Sequence, residues 1–390
     1  MRERHNRRVR AHVAALDGLR FVAATLVVLT HAAFLTGSVT TTGLLGRLMG
    51  RGDLGVLIFF VLSGYLLHRG FVRARSGAPV STTAYLSRRA ARVLPAYWLV
   101  LVVVAIAAHP SARDVVLHAA AAQIYVAEAQ ITGYSQSWSI ATEVSFYLCL
   151  PVAAWGLARA ARRNPDWPAA ICAAAVPLGI GITWLTSSSD LLTEVPYERW
   201  LPACSATFAL GMLLAEVRAR PSHVVSRWLG RLAAAPGPLL AVGGAAYLLA
   251  TTPVAGKLTL GTVDGSRLAV KMTLGCIVAG AFLLPLILGP GNLWRATLAH
   301  PWAAGLGRIS YGIFLWHVPV FTALYAVSGL EPFSGGLIPL LAFGMPITLG
   351  LAAVTYRFVE RPLLARARPQ DDQQREQARR AGADLDPGRA

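Results

Sequence analysis

The sequence is poor in charged residues, and this shortage excludes most soluble folds. Charged residues make up 14% of its 390 residues, whereas hydrophobic residues make up 55%. The mean hydropathy is +0.52. A soluble domain carries about 25% charged residues, so the composition indicates an integral membrane protein.

Several signatures of other functions are also missing. The four cysteines stand singly in apolar segments and lack the paired spacing of a zinc site. Neither a P-loop nor a GxGxxG fingerprint follows a strand. No repeat of fixed period is visible, which weakens the case for a transporter built from duplicated halves. We therefore expect no bound metal.

Basic residues are in excess, and the net charge is +17. In a soluble protein this excess would suggest nucleic-acid binding, but here the basic residues stand between apolar segments, where they report topology. Ten crossings from a cytoplasmic N-terminus place 28 of the 36 basic residues inside and seven outside. This asymmetry predicts a multi-pass plasma-membrane protein with both termini in the cytoplasm, and it argues against a nucleic-acid partner.

Ten apolar segments are long enough to cross a bilayer. They lie at 16–36, 54–71, 93–109, 138–158, 169–186, 201–217, 237–252, 268–289, 307–329 and 337–357. A shorter apolar run at 115–126 falls below the roughly 20 residues that a spanning helix needs, so we expect it to be re-entrant or to lie on the surface. An eleventh crossing there would invert every later loop and remove the charge asymmetry.

The predicted fold class is therefore all-α, a polytopic integral membrane protein of about ten transmembrane helices. We divide the chain into a basic cytoplasmic N-terminus (1–15), a ten-helix membrane domain (16–363) and a cytoplasmic tail (364–390). The tail has almost no apolar residues and is expected to be disordered. The basic start resembles a secretory signal, but Arg20 interrupts the apolar run, so an uncleaved first helix is favoured.

The first span carries two ionisable side chains on one face. Arg20 and His31 are eleven residues apart, which is about 20° beyond three full turns and about 16 Å along the helix axis. Asp17, three residues before Arg20, joins the same stripe. Ionisable groups inside a membrane are costly and usually line a cavity or a substrate path, so we expect this stripe to be functional.

Six sequence blocks, taken in order, resemble one known family. They are LDGLRFVAA…H (16–31), GDLGVLIFFVLSGYLL (52–67), YLSRRAARVLPAYW (85–98), SWSIATEVSFYL (137–148), GRISYGIFLWHVP (307–319) and YRFVERPL (356–363). Together they resemble membrane acyltransferase family 3 over essentially the whole chain. The resemblance implies a ten-helix core that moves an acyl group from acyl-CoA, with acetyl-CoA favoured, to a hydroxyl. Acceptors known in the family include cell-surface saccharides, peptidoglycan and macrolide antibiotics.

By this resemblance His31 is the catalytic histidine. A neutral imidazole suits a general base that takes the proton of the acceptor hydroxyl as it attacks a thioester. Glu143 is predicted as its partner, because it lies about 9 Å below the outer end of its span and His31 about 7 Å below the outer end of the first. The carboxylate could orient His31, bind the acceptor or form a purely structural pair. Direct transfer and an acyl-enzyme intermediate both stay open.

The donor side is predicted at the start of the third span. Arg89 and Arg92 match the RxxR element of the family, and arginines at i and i+3 share a helix face from which they can bind phosphate oxygens. With Arg88 and Arg20 they are expected to bind the phosphates of CoA, so that the pantetheine arm runs toward His31. The alternative is the positive-inside rule alone, which explains Arg88 more easily than the other two.

Seven further residues are expected to bind substrate or support the site. They are Asp17, Ser63, Tyr65, Trp138, Tyr147, Tyr311 and His317. Ser63 is more typical of helix packing than of a nucleophile, since no base is assigned to it. His317 competes with His31 for the role of base, but no cation stands at cavity spacing on its own helix. Asp53 lies just outside the second span, and a helix cap is as good an interpretation of it as a site residue.

Family members that modify surface polysaccharide often carry an extra soluble domain, and this sequence shows none beyond its short tail. The predicted acceptor is therefore a macrolide or another glycosylated small molecule. O-acetylation of a cell-envelope saccharide is the alternative. From another class, a proton-coupled transporter or saccharide exporter would use Arg20, His31 and Glu143 as a proton relay but would leave the RxxR element unexplained. The expected partners are the lipid bilayer and these substrates, and a homodimer stays open.

Overall fold

The computed structural model describes residues 2–77, 80–187, 196–258 and 264–366. Over these residues the chain forms α-helices, short helical turns and loops, with no strand, which confirms the all-α class. The helices are α1 (Arg2–Leu35), α2 (Ser38–Thr41), α3 (Gly43–Gly50), α4 (Leu54–Ala74), α5 (Thr82–Ala108), α6 (Ala112–Ala119), α7 (Trp138–Arg163), α8 (Trp167–Ser187), α9 (Leu201–Ala219), α10 (Val224–Ala234), α11 (Pro236–Ala250), α12 (Gly265–Ile287), α13 (Leu293–Leu298), α14 (Pro301–Arg308), α15 (Ser310–Ser328), α16 (Leu337–Thr355) and α17 (Arg361–Arg366).

Nine helical segments within the described ranges are long and apolar enough to cross a membrane. They are Ala14–Leu35, Gly43–Ala74, Thr82–Ala108, Ser135–Arg163, Trp167–Ser187, Tyr197–Ala219, Gly265–Ile287, Ser310–Ser328 and Leu337–Arg366. A tenth is counted if α10 and α11, which are bent by 85°, form one broken span. The predicted polytopic architecture is thus confirmed at nine to ten helices.

Several helix boundaries differ from the predicted ones, and two of the differences change the description of the fold. α1 begins at Arg2, so the helix continues through the predicted boundary at residue 15. The predicted span at 237–252 corresponds to α11, which has only 15 residues and begins with Pro236. Proline lacks a backbone N–H and clashes with the preceding turn, so α10 ends at Ala234 and the chain bends. Residues 367–390 of the predicted tail lie outside the described residues.

The segment between α5 and α7 enters the protein without crossing it. The apolar run 115–126 belongs to none of the candidate spans found among the described residues. Gln136 and Ser137, which immediately precede α7, are buried, and Gln136 Nε2 donates to the carbonyl of Leu315 in α15 at 2.7 Å. α7 therefore begins inside the protein, and this sets the depth of every residue that follows on it.

α4 lies at the centre of the bundle, in contact with α1, α7, α9 and α12. Gly64 of α4 and Gly211 of α9 each lie against the backbone of the other helix. Because glycine has no side chain, the two helices can approach closely there. Successive residues of an α-helix are about 100° apart around its axis, so Ser63, next to Gly64, is directed to a different side of α4. That side faces the cavity described below.

Candidate active site

One cavity brings together side chains from α1, α4, α5, α7 and α15. Its polar lining consists of Arg20, Ser63, Arg89, Arg92, Ser139, Glu143, Tyr147, Ser310 and Tyr311. Seven of these nine residues were predicted as site residues from the sequence, and they come from segments far apart in the chain. Along α4 the lining extends from Leu67 to Val56, a distance of about 16 Å on a helix. The lining of the cavity therefore extends over about three turns of α4.

The three arginines of the cavity differ in their partners. Arg20 forms an ion pair with Asp17 at 2.8 Å, one turn away on α1. No carboxylate of the described residues lies within ion-pairing distance of Arg89 or Arg92, and the Nε atom of Arg89 is buried without a hydrogen-bond partner. Partly buried cations without counter-charges are costly. The cavity is therefore suited to binding an anion.

Glu143 is the only acidic residue among the described residues that line the cavity. The hydroxyl of Ser63 donates a hydrogen bond to its Oε1 atom, and Tyr147, one turn further along α7, lies beside the same carboxylate. This hydrogen bond joins α4 to α7 on the side of α4 that faces the cavity. No base could be assigned to Ser63 from the sequence, and the structure places the carboxylate of Glu143 beside its hydroxyl.

The predicted contact between Glu143 and His31 is not formed. The ring of His31 contacts Val27 O and His317 instead, and Glu143 contacts Ser63. The reason lies in the depth at which α7 begins. Gln136 already lies beside Leu315, two residues before His317, so Glu143, seven residues beyond Gln136, is about 10 Å further from that level.

His31 and His317 form a pair at the far end of the stripe that starts at Arg20. Nδ1 of His31 lies 2.9 Å from Val27 O and 3.2 Å from Nε2 of His317. The ring centroids are 4.9 Å apart and the rings meet edge to face. His317 is fully buried, whereas His31 is only partly buried. The structure therefore combines the two histidines that were considered as competing bases.

Two phenylalanines of the cavity lining connect it to the histidine pair. Phe59 and Phe314 both line the cavity and pack edge to face with centroids 6.2 Å apart. On its other side Phe314 contacts the ring of His317, at a centroid distance of 5.8 Å. Phe314 thus lies between the cavity that it lines and the ring of His317.

Besides Asp17 and the two histidines, three predicted site residues do not line the cavity. Arg88 is half-buried on α5. Tyr65 is buried, with the guanidinium of Arg69 at 5.7 Å from its ring. Trp138 packs edge to face on Phe60, with centroids 6.2 Å apart. Their predicted roles stay predictions.

Asp53, at the start of α4, makes no side-chain cap to that helix. Its carboxylate instead forms ion pairs with Lys271 and, at 3.9 Å, with Arg51. Tyr311 uses its hydroxyl to donate to Val93 O at 2.9 Å and thereby joins α15 to α5. Among the described residues no group of three or more His, Cys, Asp or Glu side chains is placed to hold a metal ion.

One buried ionic cluster was missed from the sequence. Glu216 of α9 accepts from His68 Nε2 at 2.6 Å and from two guanidinium nitrogens of Arg75 at 2.6 and 2.7 Å. Glu216 and His68 are both almost fully buried. An acidic residue inside an apolar span is a signal of a paired or functional group, and that signal could have identified Glu216.

This fold and this cavity define a multi-span membrane protein with an arginine-lined cavity between its helices. A family model described as an acyltransferase domain, Acyl_transf_3, matches residues 13–357. The chain therefore belongs to membrane acyltransferase family 3, as the six sequence blocks predicted. No solved structure matches the chain.

Two relatives agree with this assignment. The chain is 25% identical over 366 residues to the "Putative membrane-bound transacylase BcsY" of Komagataeibacter xylinus, which covers 89% of this chain and 81% of that protein. It is 23% identical over 382 residues to the O-acetyltransferase OatA of Staphylococcus aureus (strain NCTC 8325 / PS 47), which covers 90% of this chain. The match spans only 57% of the length of OatA.

Proposed function

We propose that the protein transfers an acyl group, acetyl or a short homologue, from acyl-CoA to a hydroxyl of an acceptor, and that the donor enters from the cytoplasm. The observation that carries this proposal is the pair of arginines, Arg89 and Arg92, which face the cavity without a carboxylate partner. A phosphate of CoA would supply the missing counter-charge, since guanidinium groups bind phosphate oxygens in a bidentate manner. Arg20 would add a third cation, partly neutralised by Asp17.

The length of the cavity supports the same donor. With the phosphates at Arg89 and Arg92, the pantetheine arm would extend along α4 past Ser63 toward Phe59 and Phe314, of which Phe314 contacts His317. The path along α4 from Leu67 to Val56 is about 16 Å long. This path would bring the thioester next to the histidine pair once the two phenylalanine rings move apart.

His31 is the proposed general base. A base must reach the acceptor hydroxyl as that hydroxyl attacks the thioester carbonyl, and His31 is the partly accessible member of the histidine pair. Glu143 belongs to the donor side in this proposal, because its carboxylate lies in the arginine cavity and balances part of the positive charge. Ser63 and Tyr147 hold that carboxylate in place.

The proposed acceptor is a hydroxyl of a macrolide or another glycosylated small molecule. The name of OatA, an O-acetyltransferase, supports a hydroxyl acceptor without specifying which one, so a cell-envelope saccharide is kept as the competing outcome of the test. A proton-coupled transporter is not favoured, because both relatives are named as enzymes that transfer acyl groups.

Acyl transfer by the purified full-length protein in detergent tests the proposal. Radiolabelled acetyl-CoA is offered with a panel of macrolides, simple glycosides and envelope saccharides, and His31→Ala is assayed beside the wild type. Labelled product from the wild type alone would support both the reaction and the base, and the panel member that accepts label would identify the acceptor class. A wild-type protein that neither binds CoA nor releases labelled product would contradict the proposal.

A further inference from the structure

The contacts of His31 and His317 determine which nitrogen of each ring carries a proton. Nδ1 of His31 lies 2.9 Å from Val27 O, and Nδ1 of His317 lies 3.2 Å from Ile313 O. In both cases the carbonyl belongs to the residue four positions earlier in the same helix. A carbonyl oxygen can only accept a hydrogen bond, so each Nδ1 atom must carry the proton.

The second nitrogen of His317 is consequently a lone-pair acceptor. A neutral imidazole has one N–H and one unprotonated nitrogen, and its Nδ1 atom holds the proton, so Nε2 is unprotonated. This Nε2 atom lies 3.2 Å from Nδ1 of His31. The single Nδ1–H of His31 is therefore shared by two acceptors, Val27 O and His317 Nε2, and the only unprotonated nitrogen of His31 is Nε2.

We propose that His317 is a positioning residue for His31: it accepts a hydrogen bond from Nδ1–H of His31 and thereby holds Nε2 of His31 unprotonated and aimed at the acceptor hydroxyl. This inference rests on the proposed role of His31 as general base. In catalytic triads a carboxylate does the same for the base, by fixing its tautomer and its orientation. Here a second imidazole takes the place of that carboxylate.

The surroundings of His317 suit a fixed, neutral acceptor. The ring is 0% exposed and packs against Phe314 and Phe321, at centroid distances of 5.8 and 6.1 Å. Asp53 at the start of α4 acts electrostatically on His31 and is itself paired with Lys271. His317 therefore has no freedom to turn its Nε2 atom away without losing its packing.

The transfer step balances with this arrangement. The acceptor O–H bond breaks and its proton passes to Nε2 of His31, while the oxygen forms a bond to the thioester carbonyl carbon. The C–S bond then breaks, and the CoA thiolate takes the proton from Nε2. While His31 carries the positive charge, its Nδ1–H bond to His317 becomes charge-assisted and so stronger, which stabilises that state.

Three substitutions of His317 separate this role from simple packing. In His317→Gln, the amide oxygen can reach about the position of Nε2 and accept the hydrogen bond. His317→Asn is too short to do so, and His317→Leu fills the space without any acceptor. We expect kcat of His317→Gln to stay within about tenfold of the wild type, and kcat of the other two to fall about 100-fold or more. The Kd for CoA should not change in any of them.

His118 provides the matched control. It is a second buried histidine whose Nδ1 atom contacts the carbonyl four residues earlier, Asp114 O, at 2.8 Å. Its ring lies near Tyr134, at a centroid distance of 6.0 Å, and not next to another histidine. The same substitutions at His118 report the cost of losing a buried imidazole, and we expect them to leave kcat within about threefold of the wild type.

Nitrogen-15 NMR of the histidine-labelled protein gives a second readout that does not depend on turnover. The wild type should show Nε2 of His31 unprotonated, and His317→Leu should show a mixture of the two tautomers. A protonated Nε2 in the wild type, equal losses of kcat in His317→Gln and His317→Leu, or wild-type kcat in His317→Leu would each overturn the inference. A wild type that shows the expected tautomer but transfers no acyl group would instead contradict the proposed function.

Discussion

At the residue scale, Arg89 and Arg92, which form no ion pair within the described residues, offer the most direct test of the proposed donor site. Arg89→Ala and Arg92→Ala each remove hydrogen bonds to a charged group, which contribute about 1.5–3 kcal/mol, so we expect the Kd for CoA to rise about 10- to 100-fold. Equilibrium binding of radiolabelled CoA to the purified protein measures this change.

Arg88→Ala is the matched control for these variants, because Arg88 lies on the same helix but does not line the cavity. It should change the Kd for CoA by less than about threefold, because a charge outside the cavity is screened from the bound phosphates by solvent and salt. Equal losses in all three variants would show that the arginines act only through the general positive charge of this end of α5.

Glu143 gives a prediction of opposite sign. If its carboxylate balances the arginine cavity, Glu143→Gln removes a negative charge near the bound phosphates and should tighten CoA binding about fivefold, since one charge at this range is worth about 1 kcal/mol. Ser63→Ala, which removes the hydrogen-bond donor but no charge, should leave the Kd within about twofold. A lower kcat with unchanged CoA affinity in Glu143→Gln would contradict this role and would indicate that Glu143 supports His31 instead.

At the scale of elements, the buried ionic cluster joins α4 to α9. Glu216→Gln leaves Arg75 and His68 facing a neutral amide, and breaking a buried pair costs about 3–5 kcal/mol. We expect the apparent melting temperature in detergent to fall by several degrees or more. Glu198→Gln is the control, because its pair with Arg199 is much more exposed than the cluster and should contribute little. Equal melting temperatures for both variants would mean that the cluster contributes nothing to the packing of α4 on α9.

The positions of the helices could be predicted from the sequence, but their faces and depths could not. Apolar length alone identified the spans, because a bilayer requires about 20 apolar residues. The depth of α7 depends on a hydrogen bond between Gln136 and Leu315, which lie on segments that are distant in the chain. A count of residues from the end of one span cannot supply such a contact, and the predicted meeting of Glu143 with His31 failed for that reason.

The same limit applies to the histidine pair. The stripe of Arg20 and His31 follows from helix geometry within α1, and this is why the cavity cation on α1 was identified. The partner of His31 lies 286 residues away on α15, and no spacing on a single helix predicts which neighbouring face will meet it. Both histidines were recognised as candidates, but only the tertiary structure places their rings in contact.

At the scale of the whole molecule, the helices divide into an inner and an outer set. About two thirds of the apolar stretch of α9 and of α12 is buried inside the protein, against 17% for α8 and 22% for the segment that contains α16. Large apolar side chains remain exposed on the outer helices, for example Trp184 and Phe343, as expected for surfaces that face lipid. Of the five helices that line the candidate site, α1, α4 and α15 have at least half of their apolar stretch buried, whereas α5 and α7 have less than half buried.

The direction of the whole bundle in the membrane decides from which side the donor enters, and the proposal requires the arginine end of the cavity to face the cytoplasm. The positive-inside rule predicts this orientation.

Cysteines introduced at two exposed positions test it: Ser76, after α4, should be cytoplasmic, and Ala112, at the start of α6, should be external. Cys149, the exposed native cysteine, is first replaced by alanine, since the other three are buried. In intact cells Ala112→Cys should react with a membrane-impermeant maleimide, whereas Ser76→Cys should react only after permeabilisation. The opposite labelling pattern would place Arg89 and Arg92 on the outside, where cytoplasmic acyl-CoA could not reach them, and the proposed donor would then have to be abandoned.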